Sequence, residues 1–344
     1  MSQPHIGIRA DASPLLGVGH VVRCLALAEE LAGRGCTVTL LGSVDVPWLR
    51  DRLAAVPLPV VPAPDDAGSL VSLAQELGMQ VLVVDGYELD PATGSRARAG
   101  GLTVLALHDG SFGAGQDADV YLDQNFGATS HPAGTDGRVA LAGVEHALFR
   151  REILELATQP RREPGRASVV GVFGGTDPQG AAAVVTPLVL ATGVPVDVTC
   201  VVARPELREV VEGLPHGESQ TVTAVAPTPD IMGLASRSTV TVSAAGSSIW
   251  ELLHLGVPTG IVAVVDNQEQ AYADVTSRGV AAAVGVLDEL RSSEAARTRS
   301  TEVLHRLLTD PDRRRGLGDN ARRLVDGQGR RRVADALLAA VGRR

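Results

Sequence analysis

Short apolar runs of four to six residues, each set off by a turn and a helix-length stretch, recur along this 344-residue chain. Residues 5–9, 37–41, 81–85, 103–108 and 120–122 read as strands, with helices over 21–34 and 70–77. Runs that are apolar at nearly every position need cover on both faces, the condition of a parallel sheet between helices. Glycines punctuate the element ends, as in Gly33-Arg34-Gly35 just before the strand at Thr37; such a stop and restart suits a short helix-to-strand turn. The pattern predicts an α/β fold of doubly wound, Rossmann-like type.

The rhythm breaks at Gln159-Pro160-Arg161-Arg162-Glu163-Pro164-Gly165-Arg166, where prolines, a glycine and charge without period mark a linker. It resumes with strands at 168–173, 196–202, 222–225, 239–243 and 260–264 and a helix over 180–192. Two α/β domains are therefore expected, residues 1–158 and 167–344, with a cleft between them and a last helix able to cross back to the first domain. Aromatic residues make up only 3% of the chain, so Ala, Val and Leu fill both cores. Segment 311–344 reads as helical and basic. Its runs Arg313-Arg314-Arg315 and Arg330-Arg331-Arg332 read as a solvated face, with anion attraction as the alternative.

The formal charge of -9 is interspersed rather than gathered into a basic stripe, which excludes a nucleic-acid partner. Cys24, Cys36 and Cys200 show neither CxxC nor metal-ligand spacing and read as reduced core thiols of a cytoplasmic protein. The start, Met-Ser-Gln-Pro-His, lacks the basic-then-apolar pattern of a signal peptide, and no run approaches the ~20 apolar residues that cross a bilayer. No metal, no cofactor and no membrane partner are expected.

The segment richest in functional signal runs from Ser243 to Gln268. A strand end leads through Ala244-Ala245-Gly246-Ser247-Ser248 into a helix carrying Glu251, followed by Gly256-Val257-Pro258 and Asp266-Asn267-Gln268. Such a turn aims unpaired backbone N–H groups outward, where the helix dipole favours an anion. Gly246 permits close backbone approach, Ser247 and Ser248 add donors, and Glu251 can accept from sugar hydroxyls. This reads as a sugar-nucleotide site. The other reading is a capping box, in which Ser248 and Glu251 satisfy each other's backbone donors.

A second constellation, Arg9, Asp11, Gly17, Gly19, His20 and Arg23, follows the first strand, where doubly wound domains bind ligands. Gly17-Val18-Gly19 is half a dinucleotide fingerprint, but the third glycine is absent, which argues against a nicotinamide site. At a helix N-terminus the dipole favours a neutral imidazole, so His20 is a candidate general base; a capping or lining histidine is the alternative. Tyr87 ends a strand on the ligand side and reads as a sugar contact or as packing. Gly174-Gly175-Thr176-Asp177-Pro178 reads either as a phosphate approach or as a plain turn with Asp177 capping the next helix. His108, ahead of Asp109, is a candidate cleft-lining residue. His254 reads as packing or surface, and His5, His131, His146 and His216 lack context.

Taken in order, these motifs resemble those of the UDP-sugar hydrolase family of pseudaminic and legionaminic acid biosynthesis, which includes spore coat polysaccharide biosynthesis proteins. Arg9-Ala10-Asp11-Ala12-Ser13, Gly17-Val18-Gly19-His20, Val84-Asp85-Gly86-Tyr87, Leu122-Asp123-Gln124-Asn125, Gly174-Gly175-Thr176-Asp177, Ser243 through Glu251 and Leu324-Val325-Asp326-Gly327 carry the likeness across nearly the whole chain. The resemblance implies a GT-B fold, with the nucleotide on the C-terminal domain and the sugar in the cleft. It implies metal-independent hydrolysis in which His20 activates water and UDP leaves with inversion. Gly246, Ser247, Ser248 and Glu251 would hold diphosphate and ribose, and Tyr87 and Asn267 the sugar. Gly86 stands where the family carries histidine, and His108-Asp109 where it shows paired aspartates. Both positions are expected to face the sugar, which implies a sugar other than the usual diacetamido one. A glycosyltransferase on the same scaffold and a non-catalytic nucleotide-sugar binder are the alternatives.

Overall fold

The structure, a computed structural model, describes residues 3–13, 15–56, 58–109, 115–128, 137–161, 165–174, 176–228, 230–246 and 248–343, the side chain of Asn267 excepted. The chain divides into two compact units, Met1–Glu152 with Gly327–Arg344, and Ile153–Asp326.

The first unit runs β1 (His5–Arg9), α1 (Gly19–Gly33), β2 (Thr37–Leu41), α2 (Pro47–Ala55), β3 (Val60–Val61), α3 (Ala67–Glu76), β4 (Val81–Val84), α4 (Thr93–Ala99), β5 (Thr103–Leu107), β6 (Val120–Asp123) and β7 (Val139–Ala142), and reaches the first residues of α5 (Arg151–Ala157). Its sheet has the order β3-β2-β1-β4-β5-β6-β7, and every pairing is parallel. One face packs Ile6, Ile8, Val81 and Val83 against Leu25, Leu27 and Leu31 of α1. The other packs Leu82, Val84, Val104 and Tyr121 against Leu70 and Val71 of α3. Cover on both faces is why the strands alternate so little.

The second unit continues with β8 (Ser168–Val172), α6 (Ala181–Leu190), β9 (Val196–Val201), α7 (Pro205–Glu212), β10 (Gln220–Val225), α8 (Ile231–Ser236), β11 (Val240–Ala244), α9 (Ser248–His254), β12 (Thr259–Ala263), α10 (Glu269–Ser277), β13 (Ala282–Val286), α11 (Leu287–Ser292), α12 (Glu294–Thr309) and α13 (Pro311–Leu324). Its parallel sheet has the order β10-β9-β8-β11-β12-β13. At the two sides of the segment expected as a linker, Arg161 donates to the carbonyls of Ser238 and Thr239, and Arg166 pairs with Asp197 at 2.9 Å.

The last helix, α14 (Gly329–Val341), returns to the first unit and lays Val333, Ala334, Leu337 and Ala340 into the core beside α1. Polar ties reinforce it. Arg34 pairs with Asp335 at 2.5 Å, and Arg330 reaches Glu29 at 3.4 Å and Glu30 at 3.2 Å. The solvated face expected of the basic runs is thus found only in part. Arg314 is buried and donates to the Leu307 and Leu308 carbonyls at the end of α12, and Arg332 donates to the Glu145 carbonyl. A Cβ on Gly329 would lie 2.2 Å from the Ala147 carbonyl oxygen. Because that neighbour is backbone, Gly329→Ala is expected to destabilise the protein by about 1–3 kcal/mol, measured by urea unfolding; an unchanged midpoint would refute the close approach.

Candidate functional site

In both sheets the strand order reverses between the first and fourth strands, β1/β4 in one unit and β8/β11 in the other. At such a point the loops leaving the carboxyl ends diverge and open a crevice. All four loops leaving these strands carry motifs singled out from sequence.

In the first unit α1 begins two residues earlier than its apolar pattern suggested, so His20 stands in the first turn and Arg23 one turn on, on the same face. Neither caps the helix. The His20 Nδ1 lies 2.7 Å from Oδ1 of Asp85, the residue that follows β4. Arg23 grips the same carboxylate from Nε to Oδ2 at 2.7 Å and from a terminal nitrogen to Oδ1 at 2.6 Å. Its other terminal nitrogen reaches Asp109, after β5, at 2.9 and 3.2 Å. Asp109 also accepts from the Tyr87 hydroxyl at 2.6 Å and from Asn125 Nδ2 at 3.0 Å. The Tyr87 ring meets the imidazole edge-on, with centroids 4.5 Å apart, and stays 55% exposed. Six side chains from four strand exits thus form one network.

Burial pushes the Asp85 carboxyl up, but the charge and hydrogen bonds of Arg23, with the bond from His20, overcome it and hold the group well below the usual carboxylate range. At Asp109 burial is likewise outweighed, by Arg23 and then by Tyr87 and Asn125. Burial works against the Arg23 charge, yet its two carboxylates hold it well above its ordinary value. The Tyr87 phenol is pushed up by burial and by Asp109, and stays an O–H donor. Burial and the charge of Asp85 also raise the Cys24 thiol, whose Sγ lies 3.3 Å from Asp85 Oδ2. Because Asp85 is an ionised acceptor, the proton of neutral His20 is assigned to Nδ1 and the lone pair to Nε2. Among the described residues nothing bonds Nε2.

Asp85 and Asp109 release their protons more readily folded than unfolded. Their contribution to stability is complete above the unfolded value of ~3.9 and drains away as pH falls below it. Thermal unfolding midpoints should hold near pH 6 and drop steeply below about pH 4. In the double variant Asp85→Asn, Asp109→Asn the acid limb should be shallower; an equally steep limb would contradict this source of acid lability.

Two further sequence candidates in this unit, Arg9 and Asp11, join the exits of β1 and β2. Arg9 is buried and bonds Asp11 at 2.5 Å, Asp65 at 3.2 Å and the Leu41 carbonyl. Asp11 accepts from the Ser43 amide at 2.7 Å, tying the exits of β1 and β2 together. Gly17, at φ +81°, closes the turn at residues 13–17 and donates to the Ser13 carbonyl at 2.8 Å. Cβ atoms on Gly17 or Gly19 would meet nothing within 4 Å. His108 is buried, 3.7 Å from Asp123. His131 and Gly110 lie outside the described residues.

In the second unit Gly174 and Thr176 are exposed after β8, and Gly175 lies outside the described residues. Asp177 adopts φ +45°, is buried, and accepts from the Ala181 and Ala182 amides at 2.8 and 2.9 Å. Its carboxylate therefore sits at the start of α6, although the N-cap residue itself is Gly180 rather than Asp177. Gly246 leads into α9, whose Ser248 and Glu251 are partly exposed; Ser247 lies outside the described residues. A Cβ on Gly246 would come within 3.6 Å of Gln268 Nε2, and Gln268 Oε1 accepts from the Val264 amide at 3.1 Å. The Gly246 turn and the Asp266–Gln268 turn are thus neighbours. The side chain of Asn267 is not among those described.

Sequence reasoning missed Asp85 and Asn125. The apolar run 81–85 shows Asp85 only as a strand's last residue. A carboxylate directly after an all-apolar strand at the order reversal is a signal that was available, since nothing in the strand itself calls for it.

No protein-family profile matches the chain, and no curated protein matches it. Among solved structures the chain is similar to Acinetobacter baumannii MurG, at 16% identity over 98% of this chain and 99% of that one, with a TM-score of 0.65. It is similar to a UDP-GlcNAc 2-epimerase from Neisseria meningitidis bound to UDP-GlcNAc, at 12% identity over 97% and 100%, with a TM-score of 0.67. The calicheamicin glycosyltransferase CalG4 matches at 16% identity over 100% and 99%, with a TM-score of 0.63. What these likenesses establish is the fold, two parallel-sheet Rossmann-like domains of the GT-B kind.

Proposed function

We propose that this chain is a nucleotide-sugar hydrolase that splits the anomeric C–O bond of a UDP-linked amino-deoxy sugar with water. The observation that carries the reading is the His20–Asp85 pair at the reversal of the first sheet, with Nε2 left to act. In the proposed step Nε2 takes a proton from water as its oxygen attacks the anomeric carbon. The C–O bond to the diphosphate breaks, its electron pair leaves on UDP, and configuration inverts. Asp85 keeps Nδ1 protonated and stabilises the imidazolium that forms. Gly246, Ser247, Ser248 and Glu251 would hold diphosphate and ribose, Tyr87 and Asn267 the sugar. Support comes from the ordered motifs and from neighbours of the same fold, one of them bound to UDP-GlcNAc.

Incubation with a panel of UDP-linked deoxysugars, free-amino and N-acetylated, should release UDP in buffer alone. No release across the panel sinks the proposal. One observation favours a second reading, a glycosyltransferase: Leu15 and Leu16, shortly before His20 in the chain, are 88% and 51% exposed, and Trp48 is exposed in the first turn of α2. Ala12 pairs with Val44 and thereby ties the loops before α1 and α2 together. An apolar rim of this kind fits an apolar acceptor, and that reading requires turnover only when an acceptor is added.

A further inference from the structure

We infer that Arg23 is a positioning residue for His20: by claiming the same Asp85 oxygen it limits how far that carboxylate raises the proton affinity of the imidazole. The inference rests on His20 being the base and deepens that reading. Asp85 Oδ1 accepts from His20 Nδ1 at 2.7 Å and from an Arg23 terminal nitrogen at 2.6 Å. Those two nitrogens are only 3.3 Å apart. With the Nδ1 proton turned to the carboxylate both are donors, so their contact is no bond but a cation set against the ring. In a lone carboxylate–imidazole pair the attraction favours imidazolium, which cannot accept a proton from water. A guanidinium at this distance opposes it, since unit charges ~4 Å apart interact by several kcal/mol even at an effective dielectric of 20.

Among the described residues, few titratable or charged groups face His20. From α1 come Arg23 and, behind the carboxylate, Cys24; from the exit of β4 come Asp85 and Tyr87. Asp109, from the exit of β5, acts through Arg23. It binds the far edge of the guanidinium and so dilutes its effect on the ring. The arrangement therefore has two opposed controls. Removing Arg23 leaves Asp85 to His20 alone, whereas neutralising Asp109 leaves the Arg23 charge less compensated.

The test is an imidazole NMR titration of His20 in the full chain, assigned by its loss in His20→Ala. Arg23→Met should move the midpoint upward by about one pH unit or more, and Arg23→Lys should stay within a few tenths of the parent. Asp109→Asn should move it downward. A midpoint that is unchanged or lower in Arg23→Met, or unchanged or higher in Asp109→Asn, overturns the inference. Should Arg23→Met fail to fold, Asp109→Asn decides alone. No turnover is needed for these readings. If His20→Ala retains UDP release, the base assignment fails while the order of midpoints can still be read.

Discussion

Replacing His20 by alanine is expected to lower turnover of a UDP-linked sugar by roughly 10²- to 10⁴-fold while leaving UDP affinity within about twofold. The separation follows from where the residues stand. His20 belongs to the first unit, in a network with Asp85, Arg23, Asp109 and Tyr87, and none of the residues proposed to hold the nucleotide belongs to that unit. Losing the imidazole removes a proton acceptor used only as the bond breaks, so kcat falls and binding does not. Glu251→Ala should act the other way and weaken UDP binding first, by the loss of hydrogen bonds to ribose. Steady-state UDP release and calorimetric titration with UDP separate the two effects. Equal losses in both measurements for both variants would show that the division of roles is wrong.

Asp85→Ala is expected to cost about 3–5 kcal/mol of stability, the penalty for removing one partner of a buried ion pair. Asp85 is fully buried and accepts from His20, from two Arg23 nitrogens and from Cys24. Without it the inner edge of the guanidinium faces only His20 and the thiol. Asp85→Asn keeps the volume and should destabilise less, but the amide no longer enforces a proton on Nδ1, so turnover should still fall about 10²-fold or more. Urea unfolding with parallel UDP-release rates reads both. If Asp85→Ala is as stable as the parent, the network is ornamental; if Asp85→Asn is fully active, Asp85 does not orient the base.

The frame of this protein was legible because its strands are buried on both faces, and such strands announce themselves as unbroken apolar runs. β1 and β2 fall on the residues their runs indicated. β13, Ala-Ala-Val-Gly-Val, was missed because small residues carry little strand signal, and β3 because it is two residues long. α2 and α7 went unread although each opens on a proline, a mark of the first helical turn. The site was half legible. His20 stood out by its place before a helix, but its partners lie far along the chain. Asp85 is 65 residues from His20, and Asp109 is 86 from Arg23, and no local period links them. At Gly174 two readings were open. There the carboxylate of Asp177 takes the first two amides of α6.

The return of α14 to the first unit has a consequence for how the protein is made. Val333, Ala334, Leu337 and Ala340 complete a core whose other members emerge from the ribosome hundreds of residues earlier. The second unit is continuous and can close as soon as it is translated, whereas the first stays open on one side until residues 327–344 appear. At translation rates of roughly 5–20 residues per second, the apolar side of α1 waits some ten seconds or more for its cover. The unit begun first is therefore finished last, and a chain released before residue 327 leaves that side of α1 bare to chaperones and proteases.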